Sequence, residues 1–557
     1  MLVLLGFVGT IARGGGMGAR PSLCPPGGDV SADDPTLHRR CPVRGRSILR
    51  SRDHDAYRLR YSICGWQADR PGRPQYQTRE EVMITTLGSR RKFCDGLTRR
   101  ESLQAGAISM LGGMFGLPRN QTAVANTAAT HPAKARSVIV LYLLGGAPTQ
   151  DMFDMKPDAP SGVGGEFRPI ASNVPGMDVC ELMPRSTQWM HQSAVVRTVN
   201  NKGGCHNPMP SLTGYPEPLP SIGVVQDSLP PSMGSVCDFL REDRGEIPTY
   251  VHMPCMLGGG QHIRRAGPYG GYLGRQYDPR CTECLPTSTK PSPSEYYPQV
   301  VHGTPHLPAA NLPPGLTLDR LNRRRRLTQQ FDDGLRQLEA RGEFDRAQDG
   351  ALTLLTSQRV RDAFNVDNVA SEVRDSYGRT LFGNSALMAR QLVEQGVQFV
   401  NVTWDIFWTR PAKLDGAGWD THSRNFGILK ETLLPNYDHT FGGLMGDLSA
   451  RGLLDDTLVV VMSDMGRTPK INKNAGRDHW TFCYSVLFAG AGVRGGTVFG
   501  SSDAQAAYVK DKPVSPADVC ATIYSILGID PDQRVSDSAG QPVRLALDGQ
   551  VIEEIVS

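Results

Sequence analysis

Four short clusters of Asp, His and Gly residues hold the side chains of this sequence that are best suited to chemistry. They span residues 145–154, 418–422, 463–468 and 476–480. The candidate ligands within them are Asp151, Asp420, His422, Asp464 and His479. Zinc, calcium and manganese bind carboxylates and imidazoles in proteins. Because a metal site that activates water draws its ligands from several segments, we expect these clusters to converge on a divalent metal.

Each of these side chains also has a purely structural alternative. Asp420 could cap a helix that begins near Ser423, since Asp is a favoured N-cap residue. Asp464, ahead of Met-Gly, could belong to a turn. His479 could be a hydrogen-bonded histidine of the core. The metal interpretation is favoured because the clusters follow consecutive predicted strands.

The elements that must position these clusters are apolar runs typical of buried strands. The runs cover residues 137–144, 194–199, 398–403, 458–462 and 484–489, and helical patterns at 384–396 and 433–452 precede two of them. Strands that alternate with helices form parallel sheets covered on both sides. We therefore predict an α/β fold, a mostly parallel sheet with helices on both faces. Such sheets bind ligands at the carboxyl ends of their strands.

Residues 205–376 are predicted to be an insertion in this fold. Gly and Pro are frequent over 205–310, which favours long loops packed over the sheet. Residues 316–376 are polar with helical character, and the basic run at 323–326 is typical of a solvated helix face.

The first 129 residues have features of export rather than of a folded core. Arg99 and Arg100 precede an apolar run at 105–117, as in a twin-arginine export signal. The run is shorter than the ~20 residues that span a bilayer. Because such signals act at an N-terminus, we expect translation to begin at Met83. Residues 1–82 would then be an extension outside the fold, and 83–129 the signal and linker of a periplasmic protein.

Composition narrows the partners of the remaining chain. The formal net charge is +4, and much of the excess Arg lies in residues 1–82. The remaining chain therefore has no basic face that would indicate binding of nucleic acid. No apolar run after the signal approaches membrane-spanning length. Cys281 and Cys284 form a lone C-x-x-C, which is weak as a metal site. A local disulfide, or a link to Cys255, is an equally open alternative.

Several motifs resemble those of a known family. They lie at residues 145–157, 419–422, 466–469, 476–480 and 516–529 and include Trp-Asp-Thr-His and Gly-Arg-Asp-His-Trp. Together they look like the domain-of-unknown-function 1501 family, which is similar to the alkaline phosphatase and sulfatase superfamily. The resemblance implies an alkaline-phosphatase-like domain over 130–557. It also implies a metal centre of Asp151, Asp420, His422, Asp464 and His479 that acts on a small-molecule or glycan ester.

The segment 200–214 is similar to the nucleophile segment of sulfatases but lacks its Arg, so formylglycine chemistry is not expected. Cys205 and His206 are the predicted catalytic residues, with Ser211 or a metal-bound water as other candidate nucleophiles and His206 also a candidate metal ligand. Arg467 is predicted to bind substrate. These residues leave two hypotheses for the function. The protein is either a metal-dependent hydrolase of phosphate or sulfate esters, or a non-catalytic scaffold that binds a glycan or a partner protein.

Overall fold

The computed structural model of the chain describes residues 60–62, 80–82, 132–203, 206–216, 227–241, 247–288, 299–307, 358–407 and 418–557. The chain divides into two compact units, residues 1–119 and 120–557. In the first unit, strand β1 (Arg60–Ser62) pairs antiparallel with β2 (Glu80–Val82). The twin-arginine motif, the expected start at Met83 and the basic run at 323–326 lie outside the described residues.

The second unit contains the other strands. In chain order they are β3 (Ser137–Leu143), β4 (Pro169–Ile170), β5 (Val179–Cys180), β6 (Ser193–Val199), β7 (Tyr250–Met253), β8 (Arg280–Cys281), β9 (Phe399–Trp404), β10 (Thr457–Met462), β11 (Gly466–Arg467), β12 (His479–Trp480), β13 (Tyr484–Gly490), β14 (Thr497–Phe499), β15 (Ser501–Ser502), β16 (Val509–Asp511), β17 (Arg534–Ser536) and β18 (Pro542–Arg544). Eight of them form one sheet in the order β14-β6-β13-β10-β3-β9-β7-β8.

The helices pack on this sheet or join its strands. They are α1 (Met209–Thr213), α2 (Met233–Leu240), α3 (Gln358–Ala363), α4 (Ser371–Ser376), α5 (Leu381–Glu394), α6 (Asn425–Ile428), α7 (Leu434–Ala450) and α8 (Pro516–Ile526). A π-helical turn, Leu429–Leu433, joins α6 to α7. Helices of 3-10 type occur at Thr149–Asp151, Ser186–Gln192, Gly259–Gln261, Gly271–Leu273, Arg275–Tyr277, Val366–Asn368 and Glu553–Ile555.

The sheet is mostly parallel, as the sequence predicts. Strand β3 pairs in parallel with β9 and β10, and β7 continues the parallel set beyond β9. Strand β13 runs antiparallel to β10 and β6. All seven residues of β3 are buried, because helices cover both faces of the sheet. Ile139 and Leu141 pack with α5 and α7 on one face, and Val138 and Val140 pack with α2 and α8 on the other.

The region expected to form only long loops also contributes strands, and that expectation is wrong. Within residues 205–310, β7 joins the main sheet beside β9, and β8 pairs with β7 at the sheet edge. The four residues of β7, Tyr-Val-His-Met, are too few to show a period of two. Their burial depends on the neighbouring strand β9.

Ser463 joins the carboxyl ends of the two central strands. Its hydroxyl donates to the carbonyl of Leu143 at 2.6 Å. It accepts hydrogen bonds from the backbone N–H groups of Gly146 at 3.1 Å and Ala147 at 3.0 Å. This one side chain therefore fixes the turn that follows β3 against the end of β10.

None of the helices among the described residues is long and apolar enough to cross a bilayer.

We predict that Ser463→Ala destabilises the protein by about 2–4 kcal/mol, because two buried N–H groups and a buried carbonyl lose their partner. Urea unfolding measures the difference. Ser538→Ala, at an exposed loop position, is the matched control and should change the free energy of unfolding by less than about 0.5 kcal/mol. Equal effects of the two variants would contradict the role of Ser463.

Candidate metal centre

Two glycines at the end of β3 make room for the centre. Gly145 and Gly146 have φ angles of +121° and +88°, which favour glycine. A Cβ atom on Gly145 would lie 2.6 Å from the backbone nitrogen of Asp420, and one on Gly146 would lie 2.9 Å from Nε of Arg467. The glycines therefore allow these two residues to approach the strand end closely.

Arg467 fills the space beside the glycine turn. Its side chain is fully buried and pairs with the carboxylate of Asp420. The guanidinium also donates to the carbonyls of Gly145, Gly146 and Arg477, the last two at 2.9 and 3.3 Å. The predicted role in binding substrate does not fit this position, because the charge is already neutralised and no part of the side chain reaches solvent.

Three imidazoles surround the carboxylate of Asp420. Nε2 of His206 lies 3.2 Å from one carboxylate oxygen. Nε2 of His422 and Nε2 of His479 lie 3.0 and 3.3 Å from the other, and these two nitrogens are 2.9 Å apart. Donor atoms of His206, Asp420 and His479 all lie within 4.8 Å of one another. The structure thus brings together four of the predicted residues.

Two further carboxylates contact the Nδ1 atoms of two imidazoles whose Nε2 atoms face Asp420. Asp464 lies 2.7 Å from Nδ1 of His206 and accepts a hydrogen bond from the N–H of Gly145 at 3.0 Å. Asp478 lies 2.7 Å from Nδ1 of His422. Carboxylates in this position orient the imidazoles that bind metals. Asp464, predicted as a direct ligand, therefore supports His206. Asp478 was not among the predicted ligands, although it precedes His479 in a conspicuous motif.

The loop of His422 is interlocked with the turn before Asp478. Asn472 donates to the carbonyl of His422 at 2.9 Å and to Asp478 at 3.0 Å. A Cβ atom on Gly476 would lie 1.9 Å from the carbonyl oxygen of His422, so the turn requires glycine. These contacts fix His422 and Asp478 as a unit.

Neighbouring charges control protonation at the centre. Burial alone would raise the pKa of Asp420, but Arg467 and the three imidazoles hold that pKa well below its usual range. Burial disfavours protonated His206, yet Asp464 and Asp420 raise its pKa. A hydrogen bond to Asp420 raises the pKa of His422, whereas burial lowers that of His479. The cluster therefore combines an ionised carboxylate with imidazoles of different basicity.

Asp151 has a different environment from the other predicted ligands. Both its oxygens accept hydrogen bonds from the guanidinium of Arg477, at 2.8 Å each. Asn425 donates to it at 2.9 Å. Because Asp151 is buried and its oxygens are already used, the structure places it in a structural ion pair beside the centre.

Of the two candidate nucleophile side chains, Cys205 and Ser211, the structure describes Ser211. Cys205 lies outside the described residues. The hydroxyl of Ser211 is buried on α1 and lies 2.7 Å from the Tyr142 hydroxyl. His206 is the residue of this segment that the structure places at the centre.

The donor set fits a metal. Nε2 of His206 is buried and faces the Asp420 carboxylate at 3.2 Å, in a contact that is not a well-aligned hydrogen bond. A buried imidazole nitrogen that lacks a well-aligned hydrogen bond is costly unless a ligand satisfies it. Two imidazoles and one carboxylate are the protein ligands of several catalytic zinc sites, which leave a further position open.

Comparison with known proteins agrees with the family resemblance that the motifs indicate. The family model described as "Protein of unknown function (DUF1501)" matches residues 135–556, which confirms the predicted resemblance. No curated protein matches the chain.

Three solved structures are among those with distant backbone similarity to this chain. A protein in the alkaline phosphatase superfamily from Vibrio parahaemolyticus has 12% identity over 73% of this chain and 74% of its own, with a TM-score of 0.32. PsFucS1 sulfatase from Pseudoalteromonas sp. has 12% identity over 71% and 68%, with a TM-score of 0.31. Ps i-CgsB in complex with k-i-k-neocarrahexaose has 11% identity over 75% of each chain, with a TM-score of 0.36.

We predict that His206→Gln costs more stability in mildly acidic than in basic solution when a chelator removes metals. The pKa of His206 is raised in the folded protein. The contribution of His206 to the free energy of unfolding is therefore complete below its pKa in the unfolded chain, about 6.5. This contribution is lost as pH rises through the pKa in the folded protein. Urea unfolding at about pH 5.5 and about pH 8.5 measures the difference.

His439→Gln is the control for this experiment. Burial lowers the pKa of His439, so this variant should show the opposite dependence on pH. An effect of His206→Gln that does not change with pH would contradict its ion pairs with Asp464 and Asp420.

Proposed function

We propose that this chain, which belongs to the DUF1501 family, is a divalent-metal-dependent hydrolase of phosphate or sulfate esters. The observation that carries the proposal is the convergence of His206, Asp420 and His479, whose donor atoms lie within 4.8 Å of one another. The buried Nε2 of His206, whose 3.2 Å contact with Asp420 is not a well-aligned hydrogen bond, supports it, because a metal ion would satisfy that nitrogen.

His206, Asp420 and His479 would hold the metal, which is zinc, manganese or calcium. The two imidazoles favour zinc among these, since calcium prefers oxygen ligands. Asp464 fixes the orientation of His206 through the 2.7 Å contact to its Nδ1. When bound, the metal would acidify a water and polarise the ester group under attack.

The charges favour one metal ion over two. Arg467 already pairs with Asp420 and occupies the turn carbonyls beside it. With His206 and His479 neutral and His422 protonated, the carboxylates of Asp420, Asp464 and Asp478 and the guanidinium of Arg467 leave one negative charge. One divalent cation already exceeds this charge, and a second would add repulsion.

His422 is placed to act as a general acid for the leaving group. Its side chain is 34% exposed, whereas that of His206 is 11% exposed. Asp478 holds Nδ1, and Nε2 faces Asp420. A positioned imidazole within hydrogen-bond reach of a departing oxygen can protonate it. Neutralisation of Asp420 by Arg467 also lowers the repulsion that an anionic ester would meet.

Export through the twin-arginine pathway to the periplasm is part of the proposal. The motif at Arg99 and Arg100 supports it. N-terminal sequencing of the protein isolated from its native cells tests it, and a mature end near residue 129 is the expected result.

We expect the purified protein to bind about one equivalent of a divalent metal. Elemental mass spectrometry should find this metal in the wild type and in His191→Ala, a control at an exposed histidine. The double variant His206→Ala/His479→Ala should lose it. A folded wild type that stays metal-free after incubation with zinc, manganese and calcium would overturn the hydrolase and favour a non-catalytic scaffold.

Aryl phosphate and aryl sulfate esters provide the activity test. We expect the metal-loaded wild type to hydrolyse one class and His422→Gln to lower kcat by about 10²–10⁴-fold, because the leaving group loses its acid. The metal content of this variant, measured in parallel, separates loss of the acid from loss of the ion. Unchanged kcat in His422→Gln would reject this residue as the acid.

A further inference from the structure

Two cysteines outside the metal centre lie at equivalent positions after neighbouring strands. His252 of β7 and Cys281 of β8 are partners in the parallel register. Cys255 lies three residues after His252, and Cys284 lies three residues after Cys281. The N–H of Thr282 donates to the carbonyl of His252 at 3.1 Å, which continues the pairing beyond β8. Neighbouring strands are about 4.8 Å apart, within the Cα separation of about 4.4–6.8 Å found in disulfides.

The side chains of Cys255 and Cys284 share one environment. Both thiols are free in the structure, and the neighbouring Cys284 thiol is the main cause that raises the pKa of Cys255. Both pack against one small cluster of buried residues, Val301, Leu381 and Phe407. Each cysteine is partly exposed, so a small oxidant in solution can reach the pair.

The local alternative within C-x-x-C is excluded by backbone geometry. Cys281 ends strand β8, and Glu283 forms an antiparallel bridge with His306. The chain from Cys281 to Cys284 is therefore extended, and three extended residues span about 10 Å. Cysteines whose Cα atoms are more than about 7 Å apart cannot be bridged without backbone movement.

We propose that Cys255 and Cys284 form a disulfide that ties the end of β7 to the segment after β8. A disulfide oxidant, such as oxidised glutathione or a protein disulfide, supplies the reaction. The thiolate of one cysteine attacks the oxidant and releases one thiol. The thiolate of the second then displaces the other half, so two protein thiols become one disulfide and the oxidant becomes two thiols.

The bridge would reinforce the edge of the main sheet. Strand β8 has two residues and is the last strand on its side. Short edge strands are held by few backbone hydrogen bonds. Oxidation removes the S–H that Cys255 donates to Asp405 at 3.2 Å, and Asp405 keeps the hydrogen bond from the N–H of Ile406 at 2.7 Å.

Peptide mapping of the full-length folded protein tests the proposal. One sample is incubated with oxidised glutathione and one with a phosphine reductant, after which free thiols are alkylated in denaturant and the chain is digested. We expect a linked pair of peptides containing Cys255 and Cys284 in the oxidised sample alone. The oxidised protein should also melt several degrees higher than the reduced protein.

Matched variants separate the two pairings. Cys281→Ser should keep the crosslink and the rise in Tm on oxidation, and Cys255→Ser should lose both. A linked peptide joining Cys281 to Cys284 in the wild type, or complete alkylation of Cys255 and Cys284 after oxidation, would overturn the proposal. Because the wild-type map decides between these outcomes, the test does not depend on either variant folding.

Discussion

The candidate centre depends on a charged group buried where the two central strands end. Arg467 lies between the carbonyls of a glycine turn and the carboxylate of Asp420, with no side-chain exposure. A buried charge of this kind is tolerated when a counter-charge and hydrogen bonds satisfy it. Loss of either partner would leave the other uncompensated, at a cost of about 3–5 kcal/mol. The same pair keeps Asp420 ionised and in place for the three imidazoles.

Around this pair the protein builds two layers of polar side chains. The inner layer consists of Asp420, His206, His422 and His479, and the outer layer is formed by Asp464 and Asp478. The outer carboxylates are themselves restrained, Asp464 by the N–H of Gly145 and Asp478 by Asn472. Support of this kind keeps the nitrogens of the imidazoles directed at one point.

Sequence patterns predict which strands form the sheet and that the loops at their ends meet. They do not predict the individual side-chain contacts. The five apolar runs are all strands of the main sheet, because a strand buried on both faces must be continuously apolar. Asp420, His422 and His479 come together because parallel strands end at one edge. Which carboxylate faces the centre depends on side-chain direction, which spacing does not encode. Asp464 therefore supports His206, and Asp151 pairs with Arg477. Strand β7 was missed because its four residues carry no periodic signal.

The order of strands in the sheet determines when strand β3 can pair during synthesis of the chain. Strand β3 lies between β9 and β10, which begin at Phe399 and Thr457, far later in the chain. As the chain leaves the ribosome, the seven apolar residues of β3 are translated long before either partner exists. An unpaired apolar strand is a site for aggregation. Ser137–Leu143 can therefore pair along both edges only after residues up to Met462 have been synthesised.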